Sequence, residues 1–515
     1  MGILLTASLV SSLIMLDSNI VAVSLPAMGR ALGASFTDVQ WIVSAYVLTY
    51  AALLMASGNW ADLHGRRRAM IIGLVIFATA SVICGIAPTS LTINLARAGQ
   101  GVGGAMLLTS SLAVIAHDFT GAARNKAFAF WGASLGIALA VGPIIGGAIT
   151  KYLGWRWIFL MNLPICLVLI LLTVRLISES KDPTAHNLDG KGIVTFSGGL
   201  ALLIWALIDG NDAGWESLSI LLRLGGAAAL FVAFVAVEWG QDHAMVDLAL
   251  FKRRTFVGAV LAMIGYGASA QVMVFFLPQF LQNAYGFAPL TAGLAMMPFA
   301  FPMVLAPRYI NRLATMISGR WILTIGLLAS MLGNLAFWLI ARTGLSYAAF
   351  TMAMLVAGIG AGILNGQTVK VLGGSVPADR SGMASGLAST TRFIGILVAV
   401  AGLGAILSTV TRRAFQAQAQ PLGLSAQATD VAARKVTAGD IPGMLNSVMP
   451  SARVLASGIA HHAFAMGFAT ITAIAAGVAA IAAALAYAII SQEDTAPVPV
   501  IGPMPCKAVD CRSPL

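Results

Sequence analysis

Apolar runs of roughly 20 residues recur along the whole chain, separated by short polar turns; that is the length a helix needs to cross a bilayer's hydrocarbon core. The pattern predicts about fourteen spans, near residues 4–27, 39–58, 69–88, 91–116, 127–149, 156–177, 192–209, 219–239, 257–281, 291–310, 321–341, 347–368, 382–409 and 463–490. The segments between them must be loops, since backbone exposed to lipid has to be helical. The fold class expected is an all-α polytopic membrane protein.

The loops set the orientation. With the N-terminus in the cytoplasm, the inside loops hold Arg66, Arg67, Arg68, Arg124, Lys126, Lys181, Lys191, Lys252, Arg253, Arg254, Arg308, Arg312, Arg320, Lys370 and Arg380. The short outside loops hold only Arg30, Lys151, Arg156 and Arg342. Basic residues collect on the cytoplasmic side, so both termini are expected there. One long loop, residues 410–460, falls outside and carries two short helical patterns. The rhythm of arginines at 62–68 returns weakly at 306–321. It suggests a six-span unit over 1–180, two extra spans over 181–256, a second six-span unit over 257–490 and a cytoplasmic tail over 491–515.

Composition agrees. Hydrophobic residues are 59% and charged residues 10%, with a mean hydropathy of +0.89, so no ordinary water-facing surface can be built. The net charge of +11 is scattered through short loops rather than gathered into a nucleic-acid patch. Cys84 and Cys166 lie in apolar runs and act as small hydrophobes, and Cys506 and Cys511 in the Pro-rich tail have no histidine neighbours. The first apolar run is too long for a cleaved signal peptide and lacks a basic lead. No phosphate-cradling G-x-x-x-x-G-K-[ST] loop is present, and the six histidines show no metal spacing, so neither ATP nor a metal or other cofactor is expected.

Against that background a few polar residues stand out. Asp17 is the one acid well inside a span; such residues are costly and usually face a cavity, where a carboxylate can hold a proton or a cation. Arg97 carries a permanent charge at membrane depth and is the candidate tuner of Asp17, with Asn94 and Gln100 placed to complete its hydrogen bonds. In "GNWADLHGRRRAM" (58–70), orientation accounts for the arginines but not for Asp62, which is suited to docking on a helix N-terminus in one conformation only. Gly132, Gly136, Gly142 and Gly146 pair at four-residue spacings around Pro143 and make a candidate moving seam. Tyr46, Trp131, Asn162, Tyr266, Gln271, Phe275, Gln279, Asn365 and Arg392 are the candidate cargo-binding positions.

Several stretches carry a resemblance. Gly58, Asp62, Gly65, Arg66 and Arg67 resemble the loop motif G-x-x-x-D-x-x-G-R-[KR] of the major facilitator superfamily, with Leu63 where a basic residue is usual. "LDSNIVAVSLP" (16–26), "LARAGQGVGGAM" (95–106), "GWRWIFLMNLP" (154–164) and "VPADRSGMASGLASTTRFIG" (376–395) are similar to its 14-span drug:proton antiporter branch. So is "GASLGIALAVGPIIGGAIT" (132–150), whose G-P-x-x-G-G ending includes Gly146 and Gly147.

The resemblance implies two six-helix bundles plus two central spans, in the cytoplasmic membrane. It further implies a transporter, not an enzyme, that exports amphipathic, cationic drugs in exchange for protons. Asp17 and Arg97 would couple the proton, and Gly58, Asp62, Gly65, Arg66 and Arg67 would form the cytoplasmic gate. Its partners would be the small-molecule cargo, protons and membrane lipid, with no nucleic acid and no sign of a periplasmic adaptor. An anionic or zwitterionic cargo stays open because of Arg97 and Arg392, as does a membrane sensor or membrane-embedded enzyme.

Overall fold

The computed structural model describes residues 1–182, 189–241, 246–314, 316–344, 346–376 and 381–495. Among them are 14 helices long and apolar enough to cross a membrane, as the hydropathy pattern predicts, and no strand. They are α1 (Gly2–Leu32), α2 (Phe36–His64), α3 (Arg66–Ile86), α4 (Ser90–Asp118), α5 (Gly121–Tyr152), α6 (Trp157–Leu176) and α7 (Gly190–Ala213). The remainder are α8 (Leu218–Trp239), α9 (Arg254–Asn283), α10 (Pro289–Ile310), α11 (Gly319–Thr343), α12 (Tyr347–Gly374), α13 (Ser381–Gln418) and α14 (Arg453–Ile489).

The turns are locally encoded. Gly33 closes α1 in the left-handed region at φ 59°, where a side chain would be strained. Two residues later Ser35 and Asp38 form a reciprocal capping box that starts α2.

Helices α1–α6 pack on one another, chiefly α2 and α3 on α4 and α1 on α5. Helices α9–α14 form a second group, with α11 on α12 and α14, α10 on α12, and α13 on α14. The groups meet where α2 touches α13, α5 touches α10 and α1 touches α9. The hairpin α7–α8 stands outside both, and α7 lies across the α2–α13 seam.

The seam is tight toward the end that carries the long loop. There Arg30 donates to the Gly439 carbonyl at 3.2 Å, Gln40 to Val400 at 3.1 Å and Gln282 to Val23 at 2.8 Å. Toward the other end there is more room at individual glycines: an added Cβ at Gly132 on α5 or Gly366 on α12 would meet no atom within 4 Å.

Two expected boundaries need correction. Helix α13 runs on to Gln418 and α14 starts at Arg453, so the loop spans 419–452 rather than 410–460. The added turns ("VTRRAFQAQ", "RVLASGIAHH") interleave Ala with polar residues, which lowers hydropathy without weakening a helix. Both short helical patterns are present, at Ala426–Thr437 and Ile441–Leu445. They close over a small core of Phe415, Val436, Met444 and Ala460.

At the opposite end the chain after α14 turns back. Thr255 donates to Asp494 at 2.5 Å, and Gly319 and Arg320 donate backbone N–H groups to Thr495 at 3.0 and 3.3 Å. Cys506 and Cys511 lie outside the described residues.

Candidate functional site

Asp17, just past the middle of α1, is 2% exposed, and Arg97 on α4 is 1% exposed. A single buried charge would be prohibitive, and the two lie in contact, Arg97 Nη1 to Asp17 Oδ2 at 2.5 Å. Asp17 Oδ1 and Arg97 Nε also have partners. Asn162 at the start of the longer segment of α6 donates to Asp17 Oδ1 at 2.9 Å, and Gln100 reaches the same oxygen at 3.4 Å. Arg97 donates to Gln100 at 2.9 Å and through Nε to the Ile42 carbonyl at 3.2 Å. Its guanidinium sits 4.1 Å from the centre of the Tyr46 ring. Asn162 is itself steadied by Ser81, which donates to the Phe159 carbonyl.

The structure brings Asp17, Arg97 and Gln100 together, with Gln100 among the hydrogen-bond partners of Arg97. Asn94 does not join them; its side chain reaches the Asp38 carbonyl at 3.5 Å. Ser81 was not foreseen, because a serine in an apolar run reads as filler.

The Asp62 turn is held by local contacts in this conformation. Asp62 pairs with Arg66, one helical turn on, at 2.9 Å, rather than with a neighbouring helix N-terminus. Glu179, after α6, accepts from the backbone N–H groups of Arg67 and Arg68 at 3.1 and 3.2 Å, the role of an acid at the start of α3. Arg67 donates to the Val174 carbonyl at 3.0 Å. Gly65 is required here: its φ is 120°, and a Cβ would collide with the Glu179 carboxylate. In this conformation every one of these contacts stays within α1–α6 and the chain just after it. Gly58 faces Thr109 with room for a methyl group.

The glycines of α5 divide by position. Added Cβ atoms at Gly142 and Gly146 would stand 2.7 Å from Asn19 Cβ and 2.9 Å from Ile20 Cα on α1. On the other face one at Gly147 would stand 2.8 Å from Leu290 Cα, and Gly293 of α10 presses back on the Pro143 carbonyl carbon. Gly136 approaches Val304 at an ordinary 3.5 Å, and Gly132 touches nothing. So α5 is clamped between both groups of helices around Pro143.

The remaining candidates separate. Tyr46 and Asn162 belong to the Asp17 cluster. Trp131 donates to Ser11 at 2.9 Å between α5 and α1. Gln279 bonds the Phe275 carbonyl on its own helix. Tyr266 and Gln271 are buried at the two ends of a π-helical turn, Gly267–Gln271, within α9. Against that turn lies α13, where Arg392 reaches Asn365 of α12 at 3.3 Å. No group of three or more metal-ligating side chains occurs among the described residues.

A bilayer-length bundle with a buried ion pair in one half, and small residues joining the halves, has the build of a polytopic membrane protein. The family comparison is specific: the chain belongs to the Major Facilitator Superfamily, whose family model matches residues 7–400. It is accordingly a transporter and not an enzyme. It is 33% identical over 397 residues to the multidrug resistance protein Stp of Mycobacterium tuberculosis, covering 77% of this chain and 74% of that one. Over 458 residues it is 33% identical to the multidrug efflux pump LfrA of Mycolicibacterium smegmatis, covering 87% and 90%. The crystal structure of a bacterial homolog to the human lysosomal transporter Spinster, inward-facing and occupied, superposes with a TM-score of 0.61 at 15% identity. That match covers 96% of this chain and 97% of the other, and it bears on the fold alone.

Proposed function

We propose that this protein is a proton-driven exporter of amphipathic drugs in the cytoplasmic membrane. The names of Stp and LfrA support drug efflux, and the buried Asp17–Arg97 pair carries the proton coupling. Protonating Asp17 removes the charge that Arg97 answers, so the cluster has two states with different hydrogen bonding. Those states differ in α1, the helix that α5 grips through Gly142 and Gly146. That contact links the proton to movement of the two bundles, residues 1–180 and 257–490, against each other. With the basic loops in the cytoplasm, the tight end faces outward and the opposite end inward. The Asp62 turn then lies at the cytoplasmic mouth.

The test is transport in proteoliposomes under an imposed pH gradient, following ethidium uptake by wild type and Asp17→Asn. Gradient-driven uptake that disappears in the variant supports both export and the role of Asp17. Normal transport by the variant moves the proton site elsewhere, and no uptake by wild type removes ethidium-type cations as cargo.

A second reading concerns cargo charge. Asp17 is already held by Arg97, whereas Arg392 has no carboxylate within ion-pair distance among the described residues. That imbalance favours an acidic group on the cargo.

A further inference from the structure

Across the seam between the halves lie polar atoms that no described residue satisfies. Arg392 on α13 is half-buried, and its only hydrogen bond among the described residues goes from Nη1 to Asn365 at 3.3 Å. Its Nε is buried without a partner. The hydroxyls of Tyr266 and Tyr50 are likewise buried and unpartnered. Both rings are 0–1% exposed. Buried donors are nearly always satisfied, so three orphans in one neighbourhood need an explanation.

They are neighbours by several independent contacts. Gly267, next to Tyr266, presses on the Arg392 backbone, and Gly395 presses on Ile264. Tyr50 packs edge-on to Phe393 with ring centres 4.5 Å apart. Beside Asn365, Gly366 opens onto space. Tyr50 comes from the first half, so the group spans the seam between the halves. The π-helical turn of α9 that begins after Tyr266 is a distortion found mostly at functional sites.

The two hydroxyls can donate or accept, and the guanidinium only donates and is cationic, so the group suits an acceptor with negative charge. We propose that Arg392, Tyr266, Tyr50 and Asn365 form a subsite for an acidic group, a carboxylate or phenolate, on an aromatic cargo. Phe393 supplies an apolar face beside it. The subsite deepens the export reading and rests on it for its role in transport. Its binding chemistry can be tested without transport.

The probes are 2-naphthoate and 2-naphthylmethylammonium, which share one ring system and differ in charge. Affinity for the purified full-length protein in detergent is measured by calorimetry for wild type, Arg392→Gln, Arg392→Lys and Tyr266→Phe. Naphthoate binding is expected to weaken on the order of 10- to 100-fold in Arg392→Gln, the range for losing a charge-assisted hydrogen bond. It should recover in part in Arg392→Lys and fall several-fold in Tyr266→Phe, while the ammonium probe is unaffected. Arg392→Gln should melt no lower than wild type, since it removes an unpaired charge from the interior.

Equal loss of both probes, a lower melting temperature in Arg392→Gln, or wild type that does not prefer naphthoate would overturn the subsite. Charge-selective binding that persists in a protein unable to transport either probe would leave the subsite standing and refute export.

Discussion

Arg97 and Asp17 meet at 2.5 Å with both side chains excluded from solvent, so neither can be altered without exposing the charge of the other. Breaking such a pair costs about 3–5 kcal/mol because the surviving charge is left buried. Arg97→Met is thus expected to lower the melting temperature in detergent sharply. The double variant Asp17→Leu/Arg97→Met should melt higher than Arg97→Met alone. Additive losses would mean that the pair is not coupled.

Asn162 joins α6 to this pair through a single amide. Asn162→Leu leaves Asp17 Oδ1 with only the 3.4 Å contact from Gln100, and Ser81 without its donor. A cost of about 1–3 kcal/mol is expected for the unsatisfied carboxylate. Gradient-driven uptake should fall further than the melting temperature alone accounts for. Wild-type transport in this variant would show that Asn162 only packs.

The glycines of α5 give a matched comparison. Gly147→Val drives a side chain into the Pro289–Leu290 backbone, whereas Gly132→Ala fills open space. The first should abolish transport in protein that still folds, and the second should stay within about twofold, since overpacking costs about 1–3 kcal/mol only where neighbours resist. Cysteine labelling at the tight end should rise in Gly147→Val as that end is forced apart.

Gly65 is fixed by backbone and space together. Gly65→Ala combines an unfavourable φ with a clash on Glu179, for a cost of about 1–3 kcal/mol. Protease nicking of the 58–70 turn should increase. Glu179→Gln, which keeps the atoms but not the charge, should nick less than Gly65→Ala.

The 419–452 segment has a pH signature. Burial works to raise the pKa of Asp430, but hydrogen bonds and charges from Arg412 and Arg434 outweigh it and hold the carboxyl below its ordinary value. A depressed folded pKa contributes stability above the unfolded value of about 3.9, lost as pH falls through the folded value. Amide protection factors in this segment, corrected for the intrinsic pH dependence of exchange, should be flat from neutral to mildly acid pH and fall only below the usual carboxylate range. Asp430→Asn should exchange faster already at neutral pH.

Much of this was legible in the sequence because the membrane leaves few options. Apolar length alone locates fourteen spans, and an acid and an arginine inside spans have to find each other. Glu179 was not legible, since an acid in a polar stretch 112 residues from Arg67 carries no local mark of its contact. The Asp62–Arg66 pair, one helical turn apart, was not singled out because the motif draws attention to partners on other helices. The π-helical turn in α9 escaped for a different reason: hydrophobic periodicity is insensitive to one inserted residue in a helix buried on nearly all sides.

The α7–α8 hairpin has a consequence of parity. Because it contributes two crossings, α9 sets out from the same end as α1, and α11 begins beside the turn after α14. A single inserted helix would turn α9–α14 upside down and put the Arg392 neighbourhood against the wrong part of α2. Additions between the halves of such a molecule are thus permitted only in pairs, whatever their sequence, and the pair present here has exploited that freedom by settling over one flank of the seam.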